Sequence, residues 1–148
     1  MSCIRFNTPA QLAQMRAMAP AMLTTEQAAT LHPAPEVTKS KVQRLRLLAI
    51  DSNPKIRESV ASSYHTPEDV FESLARDADE GVRACVARNE SAPCDVLRSL
   101  ATDASERVRG FLALNFFVPE DAMELLADDR SSTVRDLVRW KSELADAQ

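Results

Sequence analysis

An apolar residue followed by an arginine recurs along this chain at a constant interval. The pair stands at Ile56–Arg57, Val82–Arg83, Val108–Arg109 and Val134–Arg135, and each interval is 26 residues without insertion or deletion. A fixed period in this range is typical of stacked-repeat architectures, in which each unit packs on its neighbours. The period therefore predicts a row of similar units, and it constrains the fold more than any other feature.

Each unit contains two predicted helix starts. The first follows a polar column suited to helix N-caps, and the second follows a proline column with acidic residues after it, which the positive end of a helix favours. The two columns are Asn53, Asp79, Ser105 and Ser131, and then Pro67, Pro93 and Pro119. Asn89 and Asn115 stand near the predicted end of the first helix, where asparagine tolerates a left-handed C-cap. Neither helix is long enough to be stable alone in water, so neighbouring units must supply the packing.

Composition and charge limit the class of protein. The chain of 148 residues is 45% apolar and 27% charged, which is ordinary for a globular domain. No segment approaches the roughly 18 apolar residues of a membrane helix, so we expect no membrane partner. Met1 to Asn7 lack a basic region followed by an apolar run, and the expected location is cytoplasmic. The three cysteines include no C-x-x-C pair, so we expect free thiols rather than a metal or redox site.

The period divides the chain into two parts. Residues 1–47 are predicted to form an N-terminal helical cap, with helices over 8–19, from 24 or 25 to about 31, and from 35 to about 50. Residues 48–148 form the repeat array, which consists of three full repeats and a C-terminal half repeat. The first helix of the half repeat is expected to end near Trp140 and Lys141. Terminal repeats are atypical because one side has no neighbour, so Trp140 either covers that end or anchors a partner.

The combined columns resemble those of the leucine-rich repeat variant family. The shared pattern is L-A-x-D-x5-R-x3-A-x-N-x3-P, as in Leu74 to Pro93 and Leu100 to Pro119, and the resemblance covers residues 48 to about 140. It implies an all-α, right-handed superhelical solenoid, and it leaves open whether the second helix of each unit is α or 3₁₀. One branch of this family carries an iron–sulfur cluster in a cysteine-rich N-terminal region. Here that region contains only Cys3, too few thiolates for a cluster, so no cofactor is expected.

Four aspartates and four arginines recur at fixed positions, and two interpretations compete. As a structural ladder, each carboxylate accepts hydrogen bonds at a helix start and each guanidinium reaches a carboxylate of an adjacent unit. As a catalytic array they would need a base and a nucleophile close by, and no such motif is present. The ladder is the favoured reading and no enzyme activity is expected. Its members are Asp51, Arg57, Asp77, Arg83, Asp103, Arg109, Asp129 and Arg135.

Two sets of residues are candidates for binding. Aromatic side chains in or near polar turns are either covered by the next unit or exposed as anchors for a partner; they are Tyr64, Phe116, Phe117 and Trp140. The predicted helix 37–48 carries the one basic cluster, namely Lys39, Lys41, Arg44 and Arg46. Residues 48–148 carry 12 basic and 20 acidic side chains, which disfavours nucleic acid as the partner of the array. We therefore expect a non-catalytic protein–protein interaction module, with nucleic-acid binding through the basic helix as the alternative.

Overall fold

The computed structural model describes residues 37–146, with side chains through Leu144. This part of the chain contains eight α-helices and no strand, which confirms the all-helical prediction there. The helices are α1 (Lys39–Leu48), α2 (Pro54–Ala61), α3 (Glu68–Leu74), α4 (Glu80–Arg88), α5 (Cys94–Leu100), α6 (Glu106–Leu114), α7 (Glu120–Ala127) and α8 (Ser132–Asp146). The predicted helices over 8–19 and from 24 or 25 to about 31 lie outside the described residues.

The helices begin where the polar and proline columns predict. The Asn53 side chain accepts a hydrogen bond from the Lys55 amide at 3.0 Å, and Asp79 caps α4 in the same way through the Gly81 amide at 2.8 Å. These bonds satisfy donors that the first turn of a helix leaves without a partner. The prolines occupy the N-cap position of α3, α5 and α7, one residue before the helix itself. The predicted N-caps of α2 and α4 are thus confirmed.

The helices pack in two rows that share one core. The first helices of consecutive units contact each other in series, α2 with α4, α4 with α6 and α6 with α8. Each second helix contacts the first helices on either side of it, so α3 lies against α2 and α4, and α5 against α4 and α6. The predicted apolar stripe of α4, formed by Val82, Val86 and Ala87, is fully buried. The fold of the described residues is therefore helical and repeat-like.

Two expectations about the helices were wrong. The long helix begins at Lys39 rather than at Pro35, because the Thr38 side chain caps it by accepting from the Lys41 amide. The last helix does not end near Trp140 but continues to Asp146. Ala145 stands where the other units have the proline that starts their second helix, so nothing interrupts the helix there. Of the two alternatives left open for the second helices, α3, α5 and α7 adopt the α-helical one.

Candidate binding surface

Three arginines each join two consecutive units through a forked pair of hydrogen bonds. Arg57 donates from Nε and Nη2 to the two carboxylate oxygens of Asp77, at 2.7 and 2.8 Å. Its Nη1 donates to the backbone carbonyl of Asp51 in its own unit, at 2.7 Å. Such planar, two-point contacts suit arginine and not lysine. The same arrangement recurs for Arg83 with Asp103 and the Asp77 carbonyl, and for Arg109 with Asp129 and the Asp103 carbonyl.

Each aspartate of the ladder also shapes its own turn. One oxygen of the Asp77 carboxylate accepts from the backbone amide of Asp79 at 2.8 Å, which positions the residue that caps α4. The hydrogen bond from Arg57 lowers the pKa of Asp77 below its ordinary value, because it stabilises the charged carboxylate against the opposing effect of burial. The Arg109 hydrogen bond lowers the pKa of Asp129 for the same reason. These carboxylates are therefore ionised partners within the fold.

The ladder differs at its two ends. Asp51 accepts from the Asn53 amide at 2.8 Å, and no arginine side chain of the described residues reaches its carboxylate. Arg135 donates to the Asp129 carbonyl and has no carboxylate partner within the described part of the chain. Only the Arg109 rung is fully enclosed, with 4% and 5% of the two side chains exposed. In each of the three complete Arg–Asp pairs, the guanidinium and the carboxylate are hydrogen-bonded to each other.

The two asparagines near the ends of the first helices act differently from the prediction. Asn89 and Asn115 are not left-handed, since their φ angles are −76° and −66° and their backbones are extended. Instead, the Asn115 Nδ2 donates to the carbonyls of Ala87 and Asn89 in the preceding unit, at 2.8 and 3.2 Å. Its Oδ1 accepts from the Phe117 amide at 2.9 Å. The asparagine column is therefore a second, buried tie between units, which short-range sequence signals did not reveal.

The basic cluster is partly neutralised. Arg46 donates from Nε and Nη2 to Asp69, at 3.0 and 3.1 Å. Arg98 makes the equivalent contact with Asp121 two periods further along the chain, with its Nε 2.8 Å from the carboxylate. Arg46 thus occupies a repeated bridging position between second helices. The remaining members of the cluster, Lys39, Lys41 and Arg44, are exposed.

The candidate aromatic residues are exposed rather than covered by the next unit. The exposed fractions are 70% for Tyr64, 79% for Phe116, 56% for Phe117 and 53% for Trp140. Phe116 and Phe117 meet edge to face, with ring centroids 5.9 Å apart. Lys141, which follows Trp140 on α8, donates to the carbonyl of Asn115, the residue before Phe116. Tyr64 belongs to the equivalent turn two periods earlier, so it does not join this group.

An apolar groove between α6 and α8 was not predicted. It has a volume of about 530 Å³ and is lined by Glu80, Ser105, Glu106, Arg107, Gly110, Phe111, Leu114, Thr133, Val134 and Leu137. Ser105 and Val134 were named from the sequence only as a helix cap and as part of the repeated pair, and no residue was predicted to line a pocket. Ala84 and Gly110, which stand at equivalent positions of α4 and α6, are both buried. Leu137 lies over Gly110, where an added Cβ would stand 3.5 Å from its Cδ1. The sequence feature that could have predicted the groove is the presence of apolar residues, Phe111 and Leu114, outside the buried stripe of α6.

No family model, no curated protein and no solved structure matches this chain. Among residues 37–146, no three His, Cys, Asp or Glu side chains are grouped as a metal ion would require. None of the helices within that range is long and apolar enough to cross a membrane.

Proposed function

We propose that this chain is a non-catalytic protein–protein interaction module, a small adaptor or inhibitor that binds through the outward side of its repeats. One observation carries the proposal: large apolar side chains remain exposed on α6, on the turn that follows it and on α8. They are Leu114, Phe116, Phe117, Trp140 and Leu144, and each is at least 42% exposed. Exposed apolar surface is typical of binding sites, and Phe and Trp are enriched in the centres of protein interfaces.

The proposal includes a right-handed superhelical solenoid with a 26-residue period and membership in the leucine-rich repeat variant family. The repetition of the Arg–Asp bonds and of the asparagine bonds from unit to unit supports it. Solenoids present extended surfaces to partners, and a repeat array needs no catalytic group to do so. A cytoplasmic location is also part of the proposal, and a reducing compartment suits the free thiols of Cys85 and Cys94.

Nucleic-acid binding through α1 is the alternative function. The exposed charges of Lys39, Lys41 and Arg44 favour it, since clustered cations attract a phosphate backbone. Two features oppose it. Arg46 is already held by Asp69, and the acidic excess of residues 48–148 repels a polyanion that extends beyond α1.

The test begins with affinity capture on the immobilised full chain from an extract of the source cells. Captured proteins are identified, purified and titrated directly against the chain. We expect one of them to bind, and we expect Phe117→Ala or Trp140→Ala to weaken that binding about tenfold or more, as for an interface hot spot. Leu125→Ala is the control, because Leu125 is similarly exposed but lies on α7, which carries none of the five residues named above.

The alternative is tested in parallel with DNA and RNA oligonucleotides at increasing salt. Phosphate contacts give an affinity that falls steeply with salt concentration. Steep salt dependence that Arg44→Glu abolishes, together with no purified protein that binds directly, would replace the proposed function with the alternative.

A further inference from the structure

The packing of the units explains only part of the apolar character of the groove between α6 and α8. The buried stripe of α6 is formed by Val108, Leu112 and Ala113. Phe111 lies outside that stripe, lines the groove and is partly buried against the core, as is Leu137. Leu114 also lines the groove, and 42% of it is exposed. The first unit has serine at the positions of Phe111 and Leu114 and still stacks on its neighbour, so stacking does not require apolar side chains there.

Two guanidinium groups flank the aromatic ring at this groove. The Cζ atoms of Arg88 and Arg107 each lie 5.8 Å from the centre of the Phe111 ring, within range of a cation–π contact. Arg88 makes no ion pair within residues 37–146, and Arg107 approaches Glu80 only to 3.8 Å, with both side chains at least half exposed. In contrast, the ladder arginines hold carboxylates at 2.6–2.7 Å. Arg88 and Arg107 thus retain the donors of a two-point carboxylate contact.

The size and the edge of the groove narrow the kind of ligand. A volume of about 530 Å³ is within the usual range of ligand pockets and accommodates one or two large side chains. Glu80 and Glu106 stand among the lining residues and oppose any anionic ligand, a continuous chain of phosphates more than a single carboxylate. Arg107 lines the groove, and Arg88 lies beside the Phe111 ring although it is not a lining residue. A ligand with one carboxylate next to an apolar side chain therefore fits the groove better than a polyanion.

We propose that the groove between α6 and α8 binds a short segment of a partner protein that inserts a bulky apolar side chain between Phe111 and Leu137 and places an acidic side chain against Arg88 and Arg107. This inference rests on the proposed function and gives it a site and a partner chemistry. The apolar anchor supplies most of the affinity by leaving water, and the carboxylate selects the segment through its two-point contact.

The probe is a displayed library of random peptides of about 12 residues, selected against the full chain. We expect the selected peptides to share a large apolar residue with Asp or Glu within about four positions of it, as one helical turn or a short extended segment allows. One such peptide is synthesised with a fluorescent label, and its Kd is measured by anisotropy. Arg88→Glu should weaken binding about tenfold or more, and a peptide with Lys in place of its acidic residue should recover much of the loss on that variant.

Matched variants separate the groove from the general surface. Leu114→Asp should weaken binding about tenfold or more. Leu125→Asp and Arg76→Glu introduce the same changes at exposed positions outside the groove, and they should leave the Kd within about twofold. No selected peptide, selected peptides rich in basic residues, or equal effects of Leu114→Asp and Leu125→Asp would each overturn the inference.

The partner captured in the test of the proposed function shows separately whether the chain binds a protein and whether the groove is the site of that binding. If that partner depends on Phe117 and Trp140 but not on Leu114 or Arg88, the interaction function stands and the groove is not its site. If no captured protein binds directly and no peptide is selected, both fail.

Discussion

The buried and the outward sides of the first helices follow different rules. On the buried side three consecutive units repeat the same chemistry, with Arg–Asp bonds of 2.6–2.7 Å and an apolar stripe. On the outward side the first unit carries Lys55, Ser59 and Ser62, and the third unit carries Arg107, Phe111 and Leu114 at the same positions. Stacking constrains one side only. Residues on the outward side can therefore differ between units without loss of stacking, and such differences can form a binding surface.

The largest expected effect separates two leucines of α6 that lie two residues apart. Leu112 is fully buried, and Leu112→Ala should lower the free energy of unfolding by about 2–5 kcal/mol, because it removes buried apolar surface and leaves a cavity. Leu114→Ala should cost less than about 0.5 kcal/mol, since Leu114 is partly exposed already. Urea denaturation of both variants measures the difference. Equal losses would show that the outward side contributes to folding after all.

A smaller effect is expected within the ladder. Arg109→Lys should cost about 2–3 kcal/mol, because lysine keeps the charge but cannot bond both Asp129 oxygens and the Asp103 carbonyl at once. Arg83→Lys should cost about half as much, since 17% of its side chain is exposed and water replaces part of the loss. Thermal melts of both variants test this order. Arg107→Lys is the control on the outward side, and a melt without loss for Arg83→Lys and Arg109→Lys would remove the structural role of the ladder.

The asparagine tie should contribute less than the Arg109 rung. Asn115→Ala removes both donors from Nδ2 and leaves the buried carbonyls of Ala87 and Asn89 without these partners, at a cost of about 1–2 kcal/mol. Chemical denaturation is the measurement. Asn53→Ala removes an exposed N-cap instead and should cost about 1 kcal/mol or less. A smaller loss for Asn115→Ala than for Asn53→Ala would contradict the buried tie between units.

The smallest effect near neutral pH concerns titration of the ladder. The folded-state pKa of Asp77 and of Asp129 is lowered, so each contributes stability that is present above the unfolded pKa of about 3.9. That stability is lost as the pH falls below this value and through the folded-state pKa. Urea midpoints measured from pH 7 downward should hold nearly constant and then fall below about pH 4. Asp129→Asn should flatten part of that fall, whereas Asp128→Asn, at an exposed position outside the ladder, should not.

Caps that act within one helical turn were easier to predict from the sequence than contacts between residues far apart along the chain. The N-caps Asn53 and Asp79 act within one helical turn, so their residue types and positions were sufficient to predict them. Asn115 is the C-cap of α6 as predicted, but its backbone is not left-handed. Its bonds to the preceding unit were not predicted, because those partners lie 26 and 28 residues away in the sequence. The groove was missed because Gly110 and Leu137 become neighbours only when two units are packed.

The sequence alone determined the spacing of the repeated residues, the helix starts within the repeats and the residues that face the core, because those depend on spacing along one chain segment. It also indicated that the arginine and aspartate columns would bond between units. Only the tertiary structure decided that each arginine takes the carboxylate 20 residues ahead and the carbonyl six residues behind. It likewise decided which apolar side chains border a groove. The reason is geometric: these contacts depend on how two consecutive units are placed relative to each other, and the sequence of one unit does not specify that placement.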